Sequence, residues 1–247
     1  SSNELFNFST PTEFVELPSQ GRYYPEGHPL HGVGEVEIRY MTAKDEDILS
    51  SKTLLQKGIA VERFLQNVVV DKNIKTEDLL VGDKNAITIA ARITGYGEDY
   101  DVNVTCPVCA GINRRSINLE ELGLYSGDEY EAHGFKKSSS GTFTIKAPVS
   151  KVDVEVRLMT GRDEIYLATL SENKRKQKLP ETTLTDQFAR MIVSVNGNSQ
   201  NSTIRSFIDH MPARDSRFLR ENYQKVVPNI DLTQHFSCES CNFTQDM

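Results

Sequence analysis

Apolar and polar positions alternate across residues 33–41, with Val36, Ile38 and Tyr40 set against Glu35, Glu37 and Arg39. That two-residue period predicts a half-buried strand. Thr42 then stands where a helix N-cap belongs, and Asp45 and Glu46 fall in the first turn, where the helix dipole favours negative charge. Ile48, Leu49, Leu54 and Leu55 give this helix an apolar face, and Gly58 separates it from a second helix whose core candidates are Ile59, Val61, Phe64, Leu65, Val68 and Val69. A third helix spans about 83–92 on the stripe Ala86, Ile87, Ala90 and Ala91, and Gly95 and Gly97 end it. Residues 100–105 alternate again, as a strand that delivers Cys106.

The same order recurs further along. VEIRYMTAKDEDIL (36–49) aligns with VEVRLMTGRDEIYL (154–167) at a spacing of 118, and eight of the fourteen positions are identical. Arg39 matches Arg157, Met41 and Thr42 match Met159 and Thr160, and Asp45 and Glu46 match Asp163 and Glu164. Phe64 answers Phe188, and from Asp83 with Asp215 the spacing settles at 132 through to the cysteines. The second copy predicts a strand over 152–159, helices near 163–171 and 184–195, helices across 204–226, and a strand over 230–236 running into Cys238. Residues 141–147 predict an additional strand that pairs with 152–159 through a turn near Pro148. The expected fold class is therefore α+β, built from two diverged copies of a strand-helices-strand unit.

Breakers dominate the first 33 residues, among them Pro11, Pro18, Gly21, Pro25, Gly27, Pro29 and Gly32. They predict an extended N-terminal arm over 1–33, anchored by Phe14, Tyr23 and Tyr24, and either packed over its own body or ordered by a neighbour. The polar stretch Ser138-Ser139-Ser140-Gly141 is the candidate boundary between a first subdomain, 34–137, and a second, 141–247. Lys174-Arg175-Lys176-Gln177-Lys178 reads as a solvated loop between helices.

Each copy closes on a Cys-x-x-Cys pair, Cys106 with Cys109 and Cys238 with Cys241. Two intervening residues in a tight turn bring two thiolates onto one zinc, and residues tolerant of positive φ, here Gly111 and Asn242, belong just after such pairs. Because both pairs follow equivalent strands, the pattern predicts one zinc held by Cys106, Cys109, Cys238 and Cys241 that joins the halves. A closed four-sulfur shell leaves no coordination site for water, so this metal is expected to be structural. Structural zinc contributes roughly 10 to 16 kcal/mol of apparent binding energy in small domains. A redox pair is the competing chemistry, but it calls for a helix N-terminus that lowers the thiol pKa, and both pairs follow strands. Reduced, unliganded thiols and separate sites with histidine ligands are further alternatives. Yet His28, His31, His133 and His210 have no paired ligands nearby, and His235 reads as an ordinary surface histidine.

Composition narrows the functional classes. A net charge of −7 without a basic stripe argues against phosphate-driven nucleic-acid binding. No window is apolar enough for a membrane span, and the N-terminal residues have no signal-peptide pattern, so folding in a cytoplasm is expected. Phosphate-loop, dinucleotide, nucleophile-elbow and His-Glu-x-x-His motifs are absent, and the two Asp-Glu pairs are explained as helix-start residues. No enzymatic activity is expected.

Five segments resemble the baseplate proteins of T4-like contractile-tailed phages, the group that includes baseplate hub subunits and hub assembly catalysts. They are FVELPSQGRYYP (14–25), VEIRYMTAKDEDIL, GIAVERFLQNVV, the run DLLVGDKNAITIAARITGYGEDYDVNVTCPVC (78–109) and the terminal cysteine pair. The resemblance implies a virion structural or assembly protein in the tail baseplate, assembled in the host cytoplasm and meeting hub and wedge proteins without catalysis. It carries over only the four cysteines, as metal ligands. A zinc-ribbon regulatory or nucleic-acid-binding module is the alternative reading.

Overall fold

The alternation around residue 36 forms a strand, β2 (Glu35–Arg39), which pairs antiparallel with β1 (Thr12–Glu16) and aligns Val15 with Val36 on the buried face. The structure is a computed structural model that describes residues 9–246. The start of the expected arm, before residue 9, lies outside the described residues. From residue 12 the segment is packed over its own body. β1 is half of a hairpin, Leu17, Tyr24 and Leu30 are buried, and the Tyr24 hydroxyl donates to Asp83 (2.7 Å).

Thr42 caps α1 (Ala43–Ser50), but the expected long helix breaks at Ser51, whose hydroxyl accepts from the Leu54 N–H to start α2 (Lys52–Gln56). The break leaves Leu55 exposed. Gly58, at φ 67°, gives the turn into α3 (Ala60–Val68), which buries Ala60, Phe64, Leu65 and Val68 on one face and leaves Val61 in solvent. α4 (Val81–Tyr96) is longer at both ends than its apolar stripe predicts. Gly82 in its first turn lies against the segment after α8 (Ala213–Val226), where an added Cβ would stand 1.8 Å from the Pro228 carbonyl oxygen. No side chain fits there, so a glycine is required at this crossing.

After α4 come β3 (Asp99–Thr105), β4 (Ile112–Asn118) and β5 (Gly123–Tyr125), then β6 (Lys136–Lys137), β7 (Phe143–Lys146) and β8 (Asp153–Val156). β7 is the additional strand read from the sequence, and it pairs with β8 as expected. The Ser138–Gly141 stretch is the turn between β6 and β7, inside a four-stranded sheet of order β6-β7-β8-β9, rather than a free linker.

α5 (Gly161–Lys176) runs through the basic cluster expected as a loop, placing Lys174, Arg175 and Lys176 in its last turn, where cations suit the dipole. α6 (Thr183–Met191) stops where the sequence predicts four more helical residues. Ile192–Val195 instead forms β9 against β8, since three of its four residues are buried and β-branched Ile and Val fit the sheet. α7 (Asn201–His210) and α8 follow. The strand expected over 230–236 is split into β10 (Asn229–Asp231), paired with β5, and β11 (His235–Ser237), paired with β12 (Thr244–Asp246).

The chain is mixed α and β, with eight α-helices and small antiparallel sheets among the described residues. One apolar core runs from Val15 to Val226 and takes residues from both halves. The halves are also tied by backbone: Val81 N–H donates to Met159 O (3.1 Å) and Gly161 N–H to Leu79 O (2.9 Å). Lys84 bridges Glu164 (2.9 Å) across the same seam.

Candidate metal centre

β3 and β4 form a two-stranded hairpin whose last pair is Thr105 with Ile112, and Cys106 to Gly111 make its turn. Cys106 N–H donates to Gly111 O (2.9 Å), and Ala110 N–H donates back to Cys106 O (3.0 Å). β11 and β12 repeat this turn, with Cys238 N–H donating to Phe243 O (2.8 Å) and Asn242 N–H to Cys238 O (3.0 Å). Both turns need one residue in the left-handed region, and it is Ala110 and Asn242, each at φ 57°. Asn242 is as expected. In the first turn the position falls on Ala110 instead of Gly111, at a cost of roughly 1 to 2 kcal/mol for a residue with a Cβ. Gly111 serves a different purpose, since a Cβ there would approach Cys109 Sγ to 3.3 Å.

The two turns face each other. All four sulfurs lie within 4.8 Å of one another, and two close separations cross between the hairpins: Cys106 to Cys241 at 3.7 Å and Cys109 to Cys238 at 3.6 Å. Tetrahedral zinc with Zn–S of about 2.3 Å requires sulfurs about 3.8 Å apart, so the four cysteines fit such an ion and could hold it. Cys106 and Cys238, the first of each pair, are buried, while Cys109 and Cys241 reach the surface.

Asn113 supports the shell from β4. Buried at 2% exposure, its amide donates to Gly111 O (3.1 Å) and reaches Cys238 Sγ (3.6 Å), and its carbonyl accepts from Glu239 N–H (2.9 Å). It thus ties one knuckle to the other. Arg115, also on β4, lies over the Phe236 ring and donates to the Ser237 carbonyl. Sequence reading missed β4 entirely, because residues 112–118 carry too few apolar positions to mark a strand; the turn signal at Gly111 was the available clue.

The protein's own electrostatics distinguish the sulfurs. Burial works against the Cys238 thiolate, but the N–H groups of Ser240 and Cys241, the Cys109 thiol and Asn113 outweigh it and bring the pKa down to about 6. At Cys241 the Phe243 N–H favours the thiolate, yet burial and the neighbouring Cys109, Cys238 and Cys106 push it up to about 12. Four thiolates cannot share this space without a cation between them. The histidines do not join the cluster: His235 pairs with Asp246 (2.9 Å) on the surface, and His133 lies 3.8 Å from Glu129.

The Asp-Glu pairs are engaged as helix starts. Asp45 accepts from the Thr42 N–H (2.8 Å) and from both terminal nitrogens of Arg39 (2.7 and 2.9 Å). Asp163 accepts from the Thr160 N–H (3.0 Å) and likewise from Arg157 (2.7 Å twice), with Arg190 of α6 added at 2.6 Å. Burial alone would raise both carboxyls, but the arginine forks and the cap N–H hold each at about 2.

The chain is mixed α and β, with two cysteine knuckles that face each other and with Asp45 and Asp163 committed to helix caps. The family described as T4 bacteriophage base plate protein matches residues 10–247, and the chain belongs to that family. Membership implies a structural component of the virion's tail baseplate, with other baseplate proteins as its partners. No curated protein and no solved structure matches the chain. No helix among the described residues is long and apolar enough to cross a membrane.

Proposed function

We propose that the chain is a non-catalytic part of the baseplate hub region, made of two diverged copies of one unit and held by a single structural zinc. In this reading it acts through protein contacts with hub and wedge proteins. The observation that carries it is the joining of two cysteine hairpins, 132 residues apart in sequence, around one four-sulfur shell. A shell closed by four thiolates can brace a surface but gives no coordination site to a substrate. Support for the duplication comes from the recurring strand-end arginine, cap threonine and helix-start aspartate at Arg39, Thr42 and Asp45 and again at Arg157, Thr160 and Asp163. Asp83 and Asp215 add to it. Each is buried and accepts backbone N–H groups from the loop after the first strand of its hairpin, Ser19 in one case and Val149 with Ser150 in the other.

Co-sedimentation of the purified chain with hub and wedge proteins tests the reading, together with electron microscopy of assembled baseplates. The chain is expected in a hub-containing complex and as density in the baseplate. Failure to join either kind of protein, with no density in the particle, would sink it.

A further inference from the structure

The two hairpins that begin the halves differ at one edge. Pro11 O accepts from Tyr40 N–H (2.8 Å) and Leu17 N–H donates to Gly34 O (2.8 Å), which fixes the phase of the β1–β2 ladder. Bonded and non-bonded pairs alternate in such a ladder, so Glu13 and Val15 turn their backbone groups toward β2, and Thr12, Phe14 and Glu16 turn theirs outward. On that side no described strand pairs with β1, and its sheet has two strands. Thr12, Phe14 and Glu16 are all exposed, Phe14 at 64%.

In the second half the corresponding edge is covered. Thr144 stands opposite Glu155 as Phe14 stands opposite Glu37, and the two glutamates are equivalent in the repeat. Ala147 N–H donates to Val152 O (2.8 Å), which sets the same phase and turns Thr144 outward. There it meets Lys136 of β6, a strand made of two lysines. The place that β6 fills beside β7 has no described occupant beside β1.

Charge indicates what fits. Glu16 lies directly opposite Glu35, and Glu37 lies opposite Phe14, so the face around the open edge carries like charges that repel across the strands. Among the described residues none of Glu13, Glu16, Glu35 and Glu37 is in an ion pair. An unpaired edge is a template for an added strand, and an acidic one selects against a second copy of itself. We propose that the outer edge of β1 receives an extended, Lys- or Arg-bearing segment of another baseplate protein, which adds as a third strand and covers Phe14. This rests on the reading of the chain as a baseplate part.

The test uses baseplates isolated from infected cells that supply the wild-type chain or a variant. Phe14→Pro removes the outward N–H while leaving the β1–β2 ladder intact, a placement that edge strands tolerate. Its melting temperature should stay close to wild type, while incorporation into baseplates falls about tenfold or more. Thr144→Pro, at the covered position, should lower the melting temperature instead. Should Phe14→Pro misfold, the double variant Glu16→Lys with Glu37→Lys is expected to give the same loss of incorporation. In wild type, the amides of Thr12, Phe14 and Glu16 should exchange fast in the free chain and slowly in the baseplate. Wild-type incorporation of the folded variants, or amides that stay fast in the baseplate, overturns the docking site and leaves the baseplate role intact. A dimer of the free chain that Phe14→Pro abolishes would also overturn it, in favour of self-pairing. Absence of the wild-type chain from baseplates would remove the role itself and the docking site with it.

Discussion

The sheet that contains β7 and β8 and the hairpin of β3 and β4 are both antiparallel, yet they are held by different forces. β7 and β8 bury Phe143, Ile145, Val154 and Val156 in the common core, whereas no residue of β3 is buried. The cysteine hairpins have only a small cluster of their own, Cys106, Phe236 and Cys238 with Val104 and Phe243 against it. A paired hairpin without an apolar face is marginal in water. The body thus folds on packing, and under the proposed zinc reading the cysteine region gains most of its stability from the ion.

The largest effect expected from breaking this contrast is loss of the metal. Cys106→Ser or Cys238→Ser should abolish tight zinc binding, whose apparent energy in small domains is roughly 10 to 16 kcal/mol. Amides of β3, β4, β11 and β12 should then lose exchange protection while those of β7 and β8 keep theirs. Equal loss in both regions would show that the body also depends on the ion.

Next come the arginine forks, which belong to the body. Asp163→Ala leaves Arg157 and Arg190 without their shared carboxylate and should cost about 3 kcal/mol in chemical denaturation, the scale for breaking a buried pair. Asp45→Ala, with one arginine, should cost less. The same carboxylates give a pH signature. Their folded pKa of about 2 lies below the ordinary value of 3.8, so the stabilisation is complete above about pH 4 and is lost as pH falls toward 2. Stability measured over that window should drop less steeply in Asp163→Asn than in wild type.

Smaller effects refine the metal side. Asn113→Ala should weaken zinc affinity about 10- to 100-fold, as loss of an outer-shell partner does, read by competition with a chelator. Ala110→Gly relieves the left-handed alanine and should stabilise the first knuckle by about 1 kcal/mol, seen as slower metal release.

How much of this was legible in the sequence follows the same division. Where residues pack on a face, as at Phe64, Leu65 and Val68 or along β2, periodicity gives the element and its buried side. It fails where tertiary pairing overrides local pattern. Ile192–Val195 continues a helical run in sequence but is drawn into the sheet by β8, and β4 has no apolar rhythm because all but one of its residues are exposed or half-buried. The two cysteine turns were legible from spacing alone, since the turn that presents a pair is local, and the fold brings their four sulfurs together. Asn113 was not, because its role depends on the second hairpin reaching it across more than a hundred residues. The arm illustrates the remaining case: Pro and Gly mark turns but not the partner, so the pairing of β1 with β2 emerges only from the fold.

X-ray absorption at the zinc edge, combined with metal content per chain, tests the central claim most directly. One zinc per chain is expected, with four sulfur neighbours at about 2.3 Å, and the signal should be lost in either single-pair variant. Two zincs per chain, a nitrogen or oxygen atom in the shell, or a zinc that survives loss of Cys238 and Cys241 would contradict it.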